Sequence, residues 1–272
     1  MTSVDPYRVT DKLGDAVLDT IATRLEARGQ HAAFVGMMDA YLDAMRIDDA
    51  KAVIDLGCGT GVASRRIARR SGFGGHVTGI DRSPFLIDAA RRLADDENLT
   101  FRIGDTQSLD LGTGEFDAVV AHTLISHVER PGAMLAEIAR IAKPGCSIGI
   151  FDGDYASLTF GHPDPDQGQR DDEALIAAIV TNPRVMRQMP VLVREAGLEL
   201  VTVFPSILAE VGKADFWLPA IESFRKLMPT AGAMAAADAS AWAERLIQAS
   251  ESGLFFGASN YYAYVLRKPA RT

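Results

Sequence analysis

Nine residues constrain this chain more than any others: Val53-Ile54-Asp55-Leu56-Gly57-Cys58-Gly59-Thr60-Gly61, an apolar run that enters a glycine-rich turn and then a stretch with helical spacing. Gly57 and Gly59 remove side chains where a ligand must touch backbone, and Gly61 lets the following helix pack closely on the strand. A strand that hands over to a helix in this way makes the turn a ligand cradle and calls for a β-α-β frame around it.

That frame is legible on both sides. From residue 51 short apolar runs alternate with amphipathic stretches, which predicts a mainly parallel sheet with strands at 52–56, 76–80, 99–103, 116–121 and 147–151. Helices are expected at 61–70, at 84–94 with Pro84 in the first turn, and at 131–142, where Lys143-Pro144-Gly145 stops the helix. Upstream, apolar positions at helical spacing within 11–46 predict two helices punctuated by Gly29. Downstream the regularity weakens. Residues 161–170, with two prolines and two glycines, read as a loop; helices at 171–180 and 184–196, a strand at 200–204, a helical insertion over 207–252 and a last strand at 261–266 follow. The chain thus divides into N-terminal helices (1–50), a ligand-binding core (51–152), a loop, helix and sixth strand (153–206), a helical lid insertion (207–257), and the last strand with its tail (258–272).

With 272 residues, 47% of them hydrophobic and 24% charged, the chain can bury a sizeable core. Its formal charge of −8 repels phosphate backbones and anionic membranes, so neither a nucleic acid nor a membrane is the expected partner. Arg65, Arg66, Arg69 and Arg70 fall within one predicted helix and read as its solvated face. Cys58 and Cys146 each stand beside a glycine, belong to no metal-ligand cluster and predict no disulfide. Residues 1–10 lack the apolar core of a signal peptide, and no apolar run approaches the roughly 20 residues that cross a bilayer. A cytoplasmic protein is expected, and a homodimer is compatible with it.

Charge separates two candidate ligands for the glycine turn. Dinucleotide enzymes use G-x-G-x-x-G to seat a pyrophosphate on a helix N-terminus, whereas here the spacing is G-x-G-x-G and Asp55 precedes it. A carboxylate there opposes a pyrophosphate and suits an ammonium. S-adenosylmethionine carries an ammonium, a sulfonium and no phosphate. Asp81, 20 residues after Gly61 at the end of the next strand, can accept both ribose hydroxyls. After the third strand, Asp105 in Gly104-Asp105-Thr106 can accept from the adenine amino group.

These segments resemble those of the class I S-adenosylmethionine-dependent methyltransferases, in the branch similar to quinone and sterol methyltransferases. The matching pieces are Val53 to Gly61, Gly79-Ile80-Asp81, Gly104-Asp105, Phe116-Asp117-Ala118-Val119-Val120, and Leu135 through Gly145, in order over about a hundred residues. The resemblance implies an α/β, Rossmann-like seven-stranded mixed sheet, its last strand antiparallel, with helical lid insertions and the cofactor across the carboxyl ends of the strands. By the same matching Asp55, Gly57, Cys58, Gly59 and Gly61 hold the methionine part, Asp81 the ribose, and Asp105 with Thr106 the adenine. Arg82 and Phe85 then flank the adenine plane. The family's Gly-Gly after Lys-Pro is Gly145-Cys146 here, a small residue in a turn that leaves cofactor binding untouched.

Methyl transfer from a sulfonium is an in-line displacement, so alignment and exclusion of water matter more than any fixed catalytic group. His122, after the fourth strand, is the preferred base and also a cofactor-site residue; His127 and Tyr155 are further catalytic candidates. Asp152 and Asp154 bracket a glycine, but the family's metal-dependent catechol enzymes use a fuller acidic cluster, and no metal is expected. Phe160, Phe216, Trp217, Phe224, Trp242, Phe255 and Phe256 supply the lid's aromatic surface, which predicts a small apolar or aromatic acceptor rather than a charged metabolite or a protein side chain. Three other readings keep part of the site: an isomerase or cyclase on the same cofactor, a non-catalytic regulatory binder, and a nicotinamide oxidoreductase, the last opposed by the glycine spacing.

Overall fold

In a computed structural model, which describes residues 5–270, the first strands form where short β-branched and aliphatic runs meet glycine turns. They are β1 (Ala52–Leu56), β2 (His76–Asp81), β3 (Leu99–Ile103) and β4 (Phe116–His122). Residues 1–4 and 271–272, the outermost parts of the expected N-terminal and C-terminal units, lie outside the described residues. Three long strands complete the sheet: β5 (Ala142–Phe160), β6 (Glu199–Gly212) and β7 (Phe255–Arg267). The order is β3-β2-β1-β4-β5-β7-β6, with β1 to β5 parallel to one another and β7 antiparallel to both β5 and β6. Strand order reverses between β1 and β4, the place where open α/β sheets bind ligands.

Period-two alternation splits the sheet residues between two cores. Val53, Val77 and Val120 face helices α2 (Ala32–Ala44), α3 (Val62–Ala68) and α4 (Pro84–Leu93). Ile54, Ile80, Val119 and Ile148 face α5 (Pro131–Ile141) and α7 (Val185–Glu195). The first core continues into α6 (Pro165–Ile179), α8 (Trp217–Thr230) and α9 (Ala236–Glu251). Helix α1 (Asp15–Gln30) packs across α8, α4 and α3 and covers the carboxyl ends of the strands.

Several expectations need correction, most of them in the second half. The loop expected at 161–170 is helical from Pro165, because the Asp164 side chain accepts from the backbone N–H of Asp166 and Gln167 and starts α6. Residues 207–212 belong to β6 and 255–257 to β7, so the insertion between them is shorter than expected and begins and ends in strand. The chain leaves α5 at Ile141 and enters β5 at once, so Lys143 and Pro144 lie in a strand. Gly29 lies inside α1, and the break before α2 comes at His31. Of the four arginines expected on a solvated face, Arg66 and Arg69 are exposed and Arg70 is half-buried, all three paired with carboxylates, while Arg65 departs from it. Arg65 is buried against Glu26 at 2.8 Å, Arg69 meets Asp95 and Asp96, Arg70 meets Asp43 and Asp48, and Arg66 pairs with Asp39.

Candidate active site

The carboxyl ends of β1 to β4 deliver one cavity, lined by Asp55, Gly57, Cys58, Gly59, Thr60, Asp81, Arg82, Asp105, Thr106 and His122 among others. The turn after β1 is left-handed at Gly57 (φ 63°), Gly59 (φ 55°) and Gly61 (φ 82°), a conformation that costs other L-residues about 1–2 kcal/mol. A methyl group on Gly57 would stand 2.5 Å from Leu124, one on Gly59 2.8 Å from Leu25, and one on Gly61 2.6 Å from the Phe101 ring. Leu124 and Leu25 themselves line the cavity, so the two glycines present bare backbone to it. Gly57→Ala is expected to cost about 1–3 kcal/mol of stability and to lower the thermal midpoint visibly; an unchanged midpoint in a melting scan contradicts the left-handed turn.

Asp81 is buried and spans the cradle: Oδ2 accepts from the backbone N–H of Gly59 at 2.9 Å and Oδ1 from that of Ser83 at 2.9 Å. A carboxylate has about four acceptor positions, and two remain for a ligand. Burial raises the Asp81 pKa, opposed by those two hydrogen bonds. Asp55 accepts from Ser64 Oγ at 2.5 Å, and burial pushes its carboxyl up to about 7. Asp105 is exposed at the mouth, where its Oδ1 accepts from Gln107 N–H at 2.9 Å. Arg82 reaches away from the strand ends to the Arg8 carbonyl at 2.8 Å and to Asp11 at 3.0 Å, tying the N-terminal segment to the core. Phe85 packs beside Ile21, Leu86 and Leu227.

Helix α1 is latched onto the turn. Thr60 Oγ1 donates to Glu26 at 2.5 Å, while Arg65 donates to the Thr60 carbonyl and to Glu26. Behind this latch a second, enclosed cavity is walled by Arg24, Tyr155, Trp217, Phe224 and Tyr261, and it shares Tyr7, Leu25, Arg28, Thr123 and His127 with the first. The five shared residues form a wall common to both cavities.

The three catalytic candidates occupy different places. His122 Nδ1 lies 3.0 Å from the Tyr41 hydroxyl, its ring stacks on Phe151 at 4.7 Å, and burial together with the Arg28 charge lowers its pKa to about 3. It is a neutral ring at the cofactor-side wall. His127 stands in the shared wall with Nδ1 3.0 Å from Asp5 Oδ2. Burial works against its protonation, but the Asp5 charge and hydrogen bond outweigh it and raise the pKa above the usual value. Asp5 is held in turn by Tyr7 N–H at 2.9 Å and Thr181 Oγ1 at 2.9 Å. Tyr155 lines the inner cavity, where burial holds its hydroxyl protonated.

Asp152 and Asp154 part company: Asp152 accepts from the backbone N–H groups of Ser126 and Gly153, while Asp154 takes a two-pronged contact from Arg187. The residues that sequence reasoning missed come from the N-terminal segment and α1. Asp5 is 122 residues from its histidine, with no local pattern to announce it. Arg24 and Arg28 did carry a signal, since positions 21, 24, 25 and 28 share one helix face and two of them are charged where an apolar stripe belongs.

Residues 47–202, more than half of the chain, match a family described as a methyltransferase domain. The chain is 30% identical over 253 residues to an uncharacterized 37.1 kDa protein of transposon TN4556 from Streptomyces fradiae, covering 91% of this chain and 69% of that protein. It is 33% identical over 107 residues to the ubiquinone biosynthesis O-methyltransferase of Coxiella burnetii, covering 39% of this chain and 44% of that enzyme. The chain therefore spans less than half the length of that named relative. The cyclase SpnF superposes with a TM-score of 0.64 at 17% identity, over 99% of this chain and 98% of that one, a likeness of fold. With the glycine turn, the acidic residues at successive strand ends and the sheet order in place, the family match is decisive: the chain belongs to the class I S-adenosylmethionine-dependent methyltransferases.

Proposed function

We propose that this protein transfers a methyl group from S-adenosylmethionine to an oxygen or carbon of a small acceptor with an apolar or aromatic body. The observation that carries the reading is the shared wall. One cavity gathers the bare glycine backbone, Asp55 and Asp81, the other is aromatic and enclosed, and His127 with its Asp5 partner stands between them. When bound, the cofactor supplies an electrophilic methyl group on its sulfonium. Asp55 complements the ammonium of the methionine part, Arg28 its carboxylate, Asp81 the ribose hydroxyls, and Asp105 with Thr106 the adenine.

The Asp5 carboxylate accepts from His127 Nδ1, which leaves Nε2 as the nitrogen able to take a proton, on a ring that borders both cavities. His127 takes the proton from an acceptor hydroxyl or acidic carbon as the new bond forms. His122, neutral and held by Tyr41, shapes the wall. Helix α1 and the N-terminal segment, latched through Glu26, Thr60, Arg65 and Arg82, exclude water from the reacting atoms. The acidity of the chain and the ion pairing of the four arginines at 65–70 favour a small acceptor over a nucleic acid. Among the described residues no helix is long and apolar enough to cross a membrane, and the cytoplasm is the compartment we propose.

The test is incubation with S-adenosylmethionine and a panel of phenols, enols and quinone-like rings, read by mass. A product heavier by one methylene together with S-adenosylhomocysteine is expected. A rearranged product of unchanged mass would instead establish an isomerase or cyclase.

Cofactor affinity should also depend on pH through Asp55. Its carboxyl titrates at about 7, and only the ionised form pairs with an ammonium. Affinity is expected to be about tenfold weaker at about pH 6 than at about pH 8. Asp55→Asn should bind weakly at both pH values, and equal wild-type affinity at the two would remove Asp55 from the ammonium site.

A further inference from the structure

Arg24 is 6% exposed, one helical turn before Arg28 on α1, and it borders the inner cavity without bordering the cofactor cavity. Its guanidinium makes no ion pair and no hydrogen bond with any described residue; its one specific contact is the face of Phe216, 4.8 Å from the ring centroid. A desolvated cation is costly unless something compensates it, and a single aromatic face offsets only part of that cost. Burial and the neighbouring Arg28 charge together lower the Arg24 pKa to about 10, which leaves it a full cation at neutral pH. Arg28, by contrast, donates to Thr123 Oγ1 at 2.6 Å and faces the cofactor cavity as well.

Beside Arg28 and His127, the rest of the wall supplies hydroxyls and aromatic surface, among them Tyr7, Tyr155, Tyr261 and Trp217, and no carboxylate. The cavity itself is about 40 Å³, room for about three waters and so for a carboxylate group, with the rest of the molecule passing the wall shared with the cofactor cavity. An arginine fork matches the planar geometry of a carboxylate in two parallel hydrogen bonds.

We propose that Arg24 is the anchor for a carboxylate of the methyl acceptor, so that the substrate is a small apolar or aromatic acid seated head-first in the inner cavity with its nucleophilic atom at His127. The proposal rests on the methyl-transfer reading. It adds a charged head to the apolar acceptor expected from the aromatic residues of the lid. Arg24 is on this account a specificity residue, remote from the methyl group itself.

The experiment uses the full chain with saturating S-adenosylhomocysteine and titrates benzoate against benzamide, and propionate against propionamide, by calorimetry and thermal shift. At least one acid should bind about tenfold or more tightly than its amide, Arg24→Gln should abolish that preference, and Arg24→Lys should keep part of it. Arg24→Met without added acid should melt a few degrees higher than wild type, because it removes an uncompensated buried charge, whereas a purely structural arginine on Phe216 would make it melt lower. No acid-over-amide preference, an unchanged preference in Arg24→Gln, or tighter binding of phenyl phosphate than of benzoate would each overturn the carboxylate anchor. Binding of S-adenosylhomocysteine in the same samples separates the two failures: if it is absent, the methyl-transfer reading itself falls.

Discussion

Asp81→Ala is expected to weaken S-adenosylmethionine binding by about 10²–10⁴-fold, the largest single effect on affinity from any residue of the cradle. Two charge-assisted hydrogen bonds to the ribose are lost, each worth about 1.5–3 kcal/mol. The substitution also strands the backbone N–H groups of Gly59 and Ser83, both of which donate to the carboxylate at 2.9 Å. Asp81→Asn keeps an acceptor for one of these donors and should bind better than Asp81→Ala while remaining well below wild type. Calorimetry gives the affinities, and a melting scan without ligand shows how much of the loss is local structure. Wild-type affinity in a folded Asp81→Ala protein would put the adenosine elsewhere.

His127→Ala is expected to lower the turnover of a hydroxyl acceptor by about 10²–10⁴-fold with little change in cofactor affinity, as removal of a general base does. The pH dependence is the sharper readout. The neutral ring is the active form, so the rate rises with pH through the His127 pKa, which Asp5 holds above the usual histidine value. Removing the Asp5 charge takes away what raises that pKa, so the acidic limb in Asp5→Asn should move to lower pH while the plateau falls as the ring loses its orientation. A His122→Asn protein should keep the wild-type limb, because burial already holds that imidazole neutral down to about pH 3. If instead His127→Ala turns over at the wild-type rate and His122→Asn does not, the base is the histidine at the strand end.

The first half of the fold was readable almost residue by residue. Strands β1 and β3 occupy the expected residues, and β2 and β4 run one residue further, to Asp81 and His122. Strands β1, β2 and β4 are parallel strands of the sheet interior, so their apolar runs are nearly continuous and their glycine or acidic ends are sharp, while β3 is an edge strand in which buried Leu99 and Phe101 alternate with exposed Thr100 and Arg102. Strand β6 was shortened in the sequence reading because it is the edge of the sheet and half of it faces solvent: Ile207 and Val211 are 74% and 76% exposed, and Pro205 interrupts the run. The start of α6 was hidden by the glycines at 161 and 168, although Asp164-Pro165 is a cap followed by a first-turn proline.

The cofactor side of the candidate site was legible for the same reason, since its residues sit at the ends of strands that the pattern locates. Asp55, Asp81, Asp105 and His122 all come to one cavity. Arg82 borders the same cavity while its guanidinium is tied to the N-terminal segment, and Phe85 is not among the cavity's lining residues because its ring packs beside Ile21, Leu86 and Leu227. The wall proposed for the acceptor is assembled from residues distant in sequence: Asp5 and Tyr7 before α1, Arg24 on it, Tyr155 in β5 and Tyr261 in β7. No short-range period connects them, and only the packing of α1 over the sheet edge brings them to one wall.

The most direct test of the central claim is calorimetric titration of the wild-type protein with S-adenosylmethionine and, separately, with NAD. Saturable binding of S-adenosylmethionine at one site, with none for NAD, is the predicted result. Saturable NAD binding with no heat from S-adenosylmethionine would contradict it, and would mean that the glycine turn between β1 and α3 cradles a pyrophosphate after all.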